Sequence, residues 1–277
     1  METKILVPVD FSEGTNHAAE MAADMADFTG AGIILLHAIN HYTRAYLKSN
    51  DLDESWIEEK LEELSKKILI GRELMLEKAI KEGTLYETIP SVAKEFGASL
   101  TAFSSHGKEG LQRITKSKVL RLIAANPVSS IIFSKKLPRR LSPAIIPINL
   151  FRKWGKKLNV LVSMSHLWGK EFVIVETYAP EALSSELERQ RAKLKQEAEK
   201  KGLNITFAPI RGEHSFLSEF SAHARATKAS LIILISDEEE QSPIFKPGIG
   251  EKSLIYNKLK LPVLCLSPSM ELFKTQS

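Results

Sequence analysis

The sequence has one cysteine, no long apolar run and little excess of either charge, and each scarcity excludes a class of protein. Cys265 is the only cysteine among 277 residues, so a disulfide framework is excluded. No segment approaches the roughly eighteen apolar residues of a membrane span, and the amino terminus lacks the basic and apolar pattern of a signal peptide. We therefore expect a cytoplasmic protein.

The balance of charge gives no sign of a polyanionic partner. There are 38 basic and 34 acidic residues, a formal net charge of +4, which is too small to indicate nucleic-acid binding. Residues 151–170 are basic and amphipathic enough for a membrane surface, but a helix packed on a sheet is the favoured interpretation. We expect neither nucleic acid nor a membrane as partner.

What the sequence does contain is a regular alternation of strand and helix patterns in its first half, with enough hydrophobic residues (43%) for two ordinary domains. The predicted strands are 4–10, 32–39, 73–80, 98–105 and 127–134, and the predicted helices are 12–30, 55–69, 84–97 and 118–127. Ser12 suits an N-cap and Gly30 a helix stop. Residues 40–54 are predicted as a polar connection.

The second half repeats this order. "AIIPINLF" at 144–151 matches "ILVPVDFS" at 5–12, and "LPVLCLSP" near the carboxyl terminus matches "NPVSSIIFS". The pattern predicts an α/β protein with two doubly wound, mostly parallel sheets, each with its ligand site outside the carboxyl ends of the strands. We place the domains at 1–136 and 142–277, joined by "KKLPRRLSP".

Three segments of the first half, "KILVPVDFSEGTNHAAEMA", "GIILLHAI" and "SHGKEGLQRITKS", occur in an order that resembles the universal stress proteins. The repeat makes the chain similar to members with two such domains fused in one polypeptide. The resemblance implies a Rossmann-like, adenine nucleotide alpha hydrolase-like fold with a five-stranded parallel sheet in each half. It also implies a cytoplasmic stress-response role and packing of one half against the other, as in the family's dimers.

The resemblance also implies a candidate ATP site in the first half. Nucleotide-binding members hold ATP with a glycine-x-x-glycine turn, then about eight or nine residues, then a glycine followed by serine or threonine. An aspartate after the first strand and the end of the second strand receive the adenosine. The corresponding residues here are Asp10, Ala38, Ser104, His106, Gly107, Lys116 and Ser117.

Two of these positions depart from the pattern, because Ser104 and Lys116 replace glycines. A side chain at 104 costs about 1 kcal/mol if the turn needs a positive φ, and little otherwise. Lys116 either hinders the approach of a phosphate to the backbone or supplies a substitute cation, and both alternatives stay open. Asp10 has an alternative role as a cap of the turn that follows it. His106 has no partner fixed by spacing, so we expect no catalytic residue and no metal site.

In the second half the corresponding residues argue against ATP. Asn149 stands in place of Asp10, Ile235 in place of Ser104, and Glu238 in place of Gly107. The acidic run 237–240 would repel a triphosphate. We expect no nucleotide in the second domain.

These features favour a non-enzymatic stress protein that acts through interactions, with degraded nucleotide sites and with its two halves paired through their sheet edges. A homodimer of whole chains and unidentified protein partners stay open, and no cofactor is certain. One alternative is a switch that binds ATP with magnesium in the N-terminal domain only. Another is a slow ATPase.

Overall fold

In the computed structural model, the described residues are 3–105, 116–134, 141–148, 155–176, 184–210, 214–235 and 253–267. They divide into two compact units. The first unit holds the described residues between 3 and 134 together with 265–267, and the second holds those of 141–235 and 253–264. No helix within these ranges has the length and apolar character needed to cross a bilayer.

The first unit is built on a parallel sheet. Its strands are β1 (Lys4–Pro8), β2 (Gly32–Ile39), β3 (Leu76–Glu82), β4 (Leu100–Ser104) and β5 (Ser129–Phe133). They lie in the order β3-β2-β1-β4-β5, and each neighbouring pair is parallel. The direction of winding changes between β1 and β4. In open α/β sheets a ligand crevice lies outside the carboxyl ends of the strands at such a switch.

The first unit has five described helices, which follow or connect these strands. They are α1 (Glu13–Thr29), α2 (His41–Ser49), α3 (Ser55–Leu69), α4 (Leu85–Phe96) and α5 (Lys116–Ala125). The predicted caps of α1 are confirmed: the Ser12 side chain accepts a hydrogen bond from the Thr15 amide, and Gly30 ends the helix with φ +69°. The doubly wound α/β fold class is confirmed as well.

Two predicted elements of the first unit need correction. Residues 40–54, predicted as a polar connection, contain α2, which the Asn40 side chain caps by accepting from two backbone amides. Only Thr43 and Leu47, one turn apart, are buried on this helix, so its apolar stripe is too narrow to recognise. β3 begins at Leu76 and not at residue 73, because its pairing with β2 starts with Leu76 opposite Ile33 and continues to Glu82 opposite Ile39.

The second unit repeats the parallel arrangement. Its elements are β6 (Ala144–Ile148), α6 (Gly155–Trp168), β7 (Glu171–Glu176), α7 (Ser184–Lys200), β8 (Asn204–Ala208), α8 (Phe216–Ala226) and β9 (Leu231–Ile235). The first two residues of β10 (Val263–Leu266) also belong to this unit, and its last two belong to the first. β9, β6, β7 and β8 form parallel pairs in that order, and β10 lies beside β9. α6 buries Leu158, Leu161, Met164 and Trp168. The basic segment 151–170 therefore includes a core-packed helix.

Candidate functional site

The sheet brings several predicted site residues to one edge of the first unit. Asp10 lies two residues beyond β1, Ala38 is the penultimate residue of β2, and Ser104 ends β4. Ser117 lies in the first turn of α5, which begins on the same side because it follows β4. His106 and Gly107 lie outside the described residues, as does the side chain of Lys116, the first residue of α5.

Asp10 is held by the turn that leads into α1. The residue is only 1% exposed. Its Oδ1 accepts three hydrogen bonds, from the Ser12 amide at 3.2 Å, the Ser12 hydroxyl at 2.6 Å and the Thr15 hydroxyl at 2.9 Å. The Asp10 amide donates to Thr15 Oγ1 at 3.2 Å. The carboxylate therefore caps the following turn, the alternative role that its sequence position allowed.

The end of β2 is closed by α2. Ala38 has no exposed surface, and its carbonyl accepts a hydrogen bond from the Thr43 hydroxyl at 3.2 Å. Neighbouring His37 is also fully buried, with Nδ1 at 2.9 Å from the Val9 carbonyl and Nε2 at 3.3 Å from Thr43 Oγ1. Burial lowers the pKa of His37, against the opposing effects of the Val9 hydrogen bond and the Asp10 charge. The imidazole is therefore neutral at pH 7.

Aromatic side chains cover this histidine. The Phe11 ring stacks on the His37 ring with centroids 4.8 Å apart and an interplanar angle of 11°. Trp56 meets Phe11 edge-on at 5.5 Å, and Tyr46 lies 5.2 Å from Trp56. Phe11 has a positive φ of 62°, which is strained for a bulky residue and turns the chain sharply after Asp10. The contacts of this cluster hold that conformation.

Sequence analysis missed Lys118, the third residue of α5. Its Nζ lies 5.8 Å from the centroid of the Tyr42 ring on α2, within cation–π range. Burial lowers the pKa of Lys118, the Asp10 charge raises it, and the nearby Arg121 charge lowers it further. A lysine beside Ser117 in a predicted first helical turn is the signal that could have identified it.

The second unit has a different polar group at the corresponding edge. Glu176, the last residue of β7, is 1% exposed and pairs with Arg191 of α7 through two contacts of 2.6 Å. The hydrogen bonds to Glu176 raise the pKa of Arg191. Ile235 ends β9, as expected, whereas Asn149 and the acidic run 237–240 lie outside the described residues. Nothing in the sequence marked Glu176 and Arg191 as partners.

The described part of the chain contains no group of three or more histidine, cysteine, aspartate or glutamate side chains arranged to hold a metal ion. At the sheet edge, Oδ1 of Asp10 accepts from hydroxyl and amide donors of Ser12 and Thr15.

Comparisons with known proteins agree with this architecture. Residues 1–126 match the Universal stress protein family. A universal stress protein from Archaeoglobus fulgidus is 15% identical, with 95% of this chain and 96% of that chain covered and a TM-score of 0.62. A functionally unknown protein from Pseudomonas aeruginosa is 14% identical, with coverage of 96% and 92% and a TM-score of 0.61. Both show a shared fold over both repeats. A search of curated proteins finds no match.

Proposed function

Because residues 1–126 match the Universal stress protein family, we propose that this protein acts in a cytoplasmic stress response by binding other proteins, without catalysis. The observation that carries this proposal is the state of Asp10. Its Oδ1 accepts three hydrogen bonds from Ser12 and Thr15, and the residue is buried. A ribose hydroxyl would have to reach a buried carboxylate, and at Oδ1 it would have to displace one of these donors, a loss that the ligand must compensate.

Two further positions support degraded nucleotide sites. Ala38 is covered, and its carbonyl is hydrogen-bonded to Thr43, so the end of β2 offers adenosine no open surface. In the second unit, apolar Ile235 stands at the place of Ser104, at the end of the corresponding strand. The acidic run 237–240 follows it in the sequence. The proposal is therefore partial loss of nucleotide binding in the first half and complete loss in the second.

The proposal extends to the partners. The resemblance to two-domain family members supports an intramolecular pairing of the two halves, in the manner of the family's dimers. The small net charge of +4 supports protein partners over nucleic acid.

A second candidate function is an ATP-binding switch that uses the N-terminal site with magnesium. One observation favours it: Ser117 is exposed in the first turn of α5, on the same sheet edge as Asp10. A helix amino terminus carries a partial positive charge that favours phosphate. In this alternative, Gly107 and Ser117 would hold the phosphates and Asp10 the ribose. No described contact favours the third candidate, a slow ATPase.

The test is a thermal unfolding experiment on the full chain with millimolar ATP and magnesium. A ligand at a hundred times its dissociation constant adds about 2.7 kcal/mol, which raises the Tm of a protein of this size by roughly 5 °C or more. We expect no such shift in the wild type. A shift that is lost on Gly107→Glu would establish the N-terminal switch instead.

Catalysis is tested separately by phosphate release. We expect release no faster than in a protein-free blank with ATP and magnesium. Release that persists through purification and disappears in Gly107→Glu would overturn the non-catalytic proposal. The same variant serves both experiments, because a glutamate in this turn places a negative charge where the triphosphate would lie.

A further inference from the structure

The contact between Lys118 and Tyr42 crosses the carboxyl end of β1. Tyr42 is in α2, which directly follows β2, and Lys118 is in α5, which follows β4. β1 lies between β2 and β4 in the sheet. A side chain that reaches from the start of α5 to the start of α2 therefore spans the carboxyl end of β1, the strand that Asp10 follows, at the switch point where open α/β sheets bind their ligands.

Burial and charge agree with this placement. Asp10 and Ala38 lie at the base of the crevice and are almost completely buried, while Lys118 is half-buried. The negative charge of Asp10 favours the charged form of Lys118, so the two groups are close enough to attract. The ammonium group thus has two attractive neighbours, the Asp10 carboxylate and the face of the Tyr42 ring.

We infer that Lys118 is a specificity-determining residue that excludes nucleosides from the N-terminal crevice by laying its own side chain across it. This inference deepens the proposed function and rests on it. A nucleoside over Asp10 would have to displace the ammonium group from Asp10 and from Tyr42. A neutral ribose hydroxyl returns no positive charge to the carboxylate, so the exchange is unfavourable.

The closure depends on one side chain, which makes it open to substitution. Burial and the Arg121 charge both disfavour the ammonium form of Lys118, against the favourable effect of Asp10. Together these effects lower the pKa of Lys118, because burial and Arg121 outweigh the favourable charge of Asp10. Truncation of Lys118 should remove the bridge to Tyr42 while Asp10 keeps its hydrogen bonds from Ser12 and Thr15.

The test uses adenosine and the full-length chain. Adenosine lacks phosphates, so the outcome of this test does not depend on whether the positions of Ser104 and Lys116 can hold a phosphate group. Equilibrium dialysis with labelled adenosine is compared for the wild type, Lys118→Ala, Lys118→Arg and Arg121→Ala. Arg121→Ala is the matched control because it removes an exposed cation one turn further along the same helix. We expect Lys118→Ala to bind at least tenfold more tightly than the wild type and Lys118→Arg to match the wild type. Arg121→Ala should bind no more tightly than the wild type, because loss of the Arg121 charge favours the ammonium form of Lys118.

A second variant protects the test against misfolding. Tyr42→Ala removes the other end of the bridge and should also increase adenosine binding, and circular dichroism checks that each variant is folded. The inference is overturned if folded Lys118→Ala and Tyr42→Ala bind no more tightly than the wild type. It is also overturned if Lys118→Ala binds more weakly, because Lys118 is then a ligand contact. Binding of ATP by the wild type contradicts the proposed function instead, and is measured separately.

Discussion

The two repeats place different buried polar groups at the same point of their sheets. Pro8 of β1 lies opposite Leu36, and Pro147, which the repeat aligns with Pro8, lies opposite Val175. The next residues along the second strands, His37 and Glu176, therefore correspond. Both are almost completely buried. In the first unit the group is a neutral imidazole whose Nδ1 donates to the Val9 carbonyl and whose Nε2 lies 3.3 Å from Thr43 Oγ1, and in the second it is a carboxylate paired with Arg191.

This difference shows which part of the duplicated fold is constrained. The strand register is the same in both repeats, because a shift of one residue would turn every buried side chain to the other face. At the strand ends only hydrogen-bonding satisfaction is required, and it is met by a histidine and a threonine in one unit and by an ion pair in the other. In each repeat, side chains of the protein itself occupy the space beside the carboxyl end of the second strand.

Among the variants that test this comparison of the two units, Arg191→Met should have the largest effect on the free energy of unfolding. The substitution leaves the Glu176 carboxylate buried without its charged partner, which should lower the free energy of unfolding by about 3–5 kcal/mol. Urea denaturation of the full chain, followed by circular dichroism, measures it. Arg189→Met is the matched control, because Arg189 makes two similar contacts with Glu186 on the exposed face of the same helix.

Exposed pairs of this kind contribute about 1 kcal/mol or less, so Arg189→Met should change the free energy of unfolding little. Equal losses for the two variants would show that the Glu176 pair has no special weight. The double variant Glu176→Gln, Arg191→Met should recover part of the stability lost in Arg191→Met, since no unpaired charge then remains.

Much of the fold could be predicted from the sequence because its elements carry strong and bounded patterns. β2 is a fully buried run between Gly30 and Asn40 that is apolar except for His37, and α3 has buried Ile57, Leu61, Leu64 and Ile68 at helical spacing. Both were predicted with their observed bounds. α2 could not be recognised, since only two of its residues are buried and its start depends on the Asn40 cap.

The candidate site was predictable only where it follows strand ends. Asp10, Ala38 and Ser104 meet because the carboxyl ends of parallel strands share one edge. The roles of Lys118 and Arg191 depend on which turn of a helix faces which strand end, and the sequence does not encode that in any local pattern. Arg191 is 15 residues from Glu176, and Lys118 is more than a hundred residues from Asp10 and approaches it only through the strand order.

A smaller effect is expected at the helix caps, where the units can again be compared. Ser12 caps α1 and also donates to buried Asp10, whereas exposed Ser215 caps α8 and has no such described contact with a buried carboxylate. Ser12→Ala should cost about 1–2 kcal/mol of unfolding free energy, and Ser215→Ala less than about 1 kcal/mol. Urea denaturation of both variants decides this. A larger loss for Ser215→Ala would show that the Asp10 network adds nothing to an ordinary cap.

The smallest expected effect is a pH dependence that belongs to the first unit. Burial lowers the pKa of His37 below the ordinary value of 6.5, so the unfolded chain binds a proton more readily than the folded one. The stabilisation is therefore present above that value and is lost as the pH falls below it. His37→Gln should flatten this dependence of the free energy of unfolding on pH, and His214→Gln, an exposed control in the second unit, should leave it unchanged. If the free energy of unfolding of His37→Gln depends on pH as steeply as that of the wild type, His37 takes up its proton equally in the folded and unfolded states. His37 would then be charged at low pH, and the first unit would no longer differ from the second by holding a neutral group.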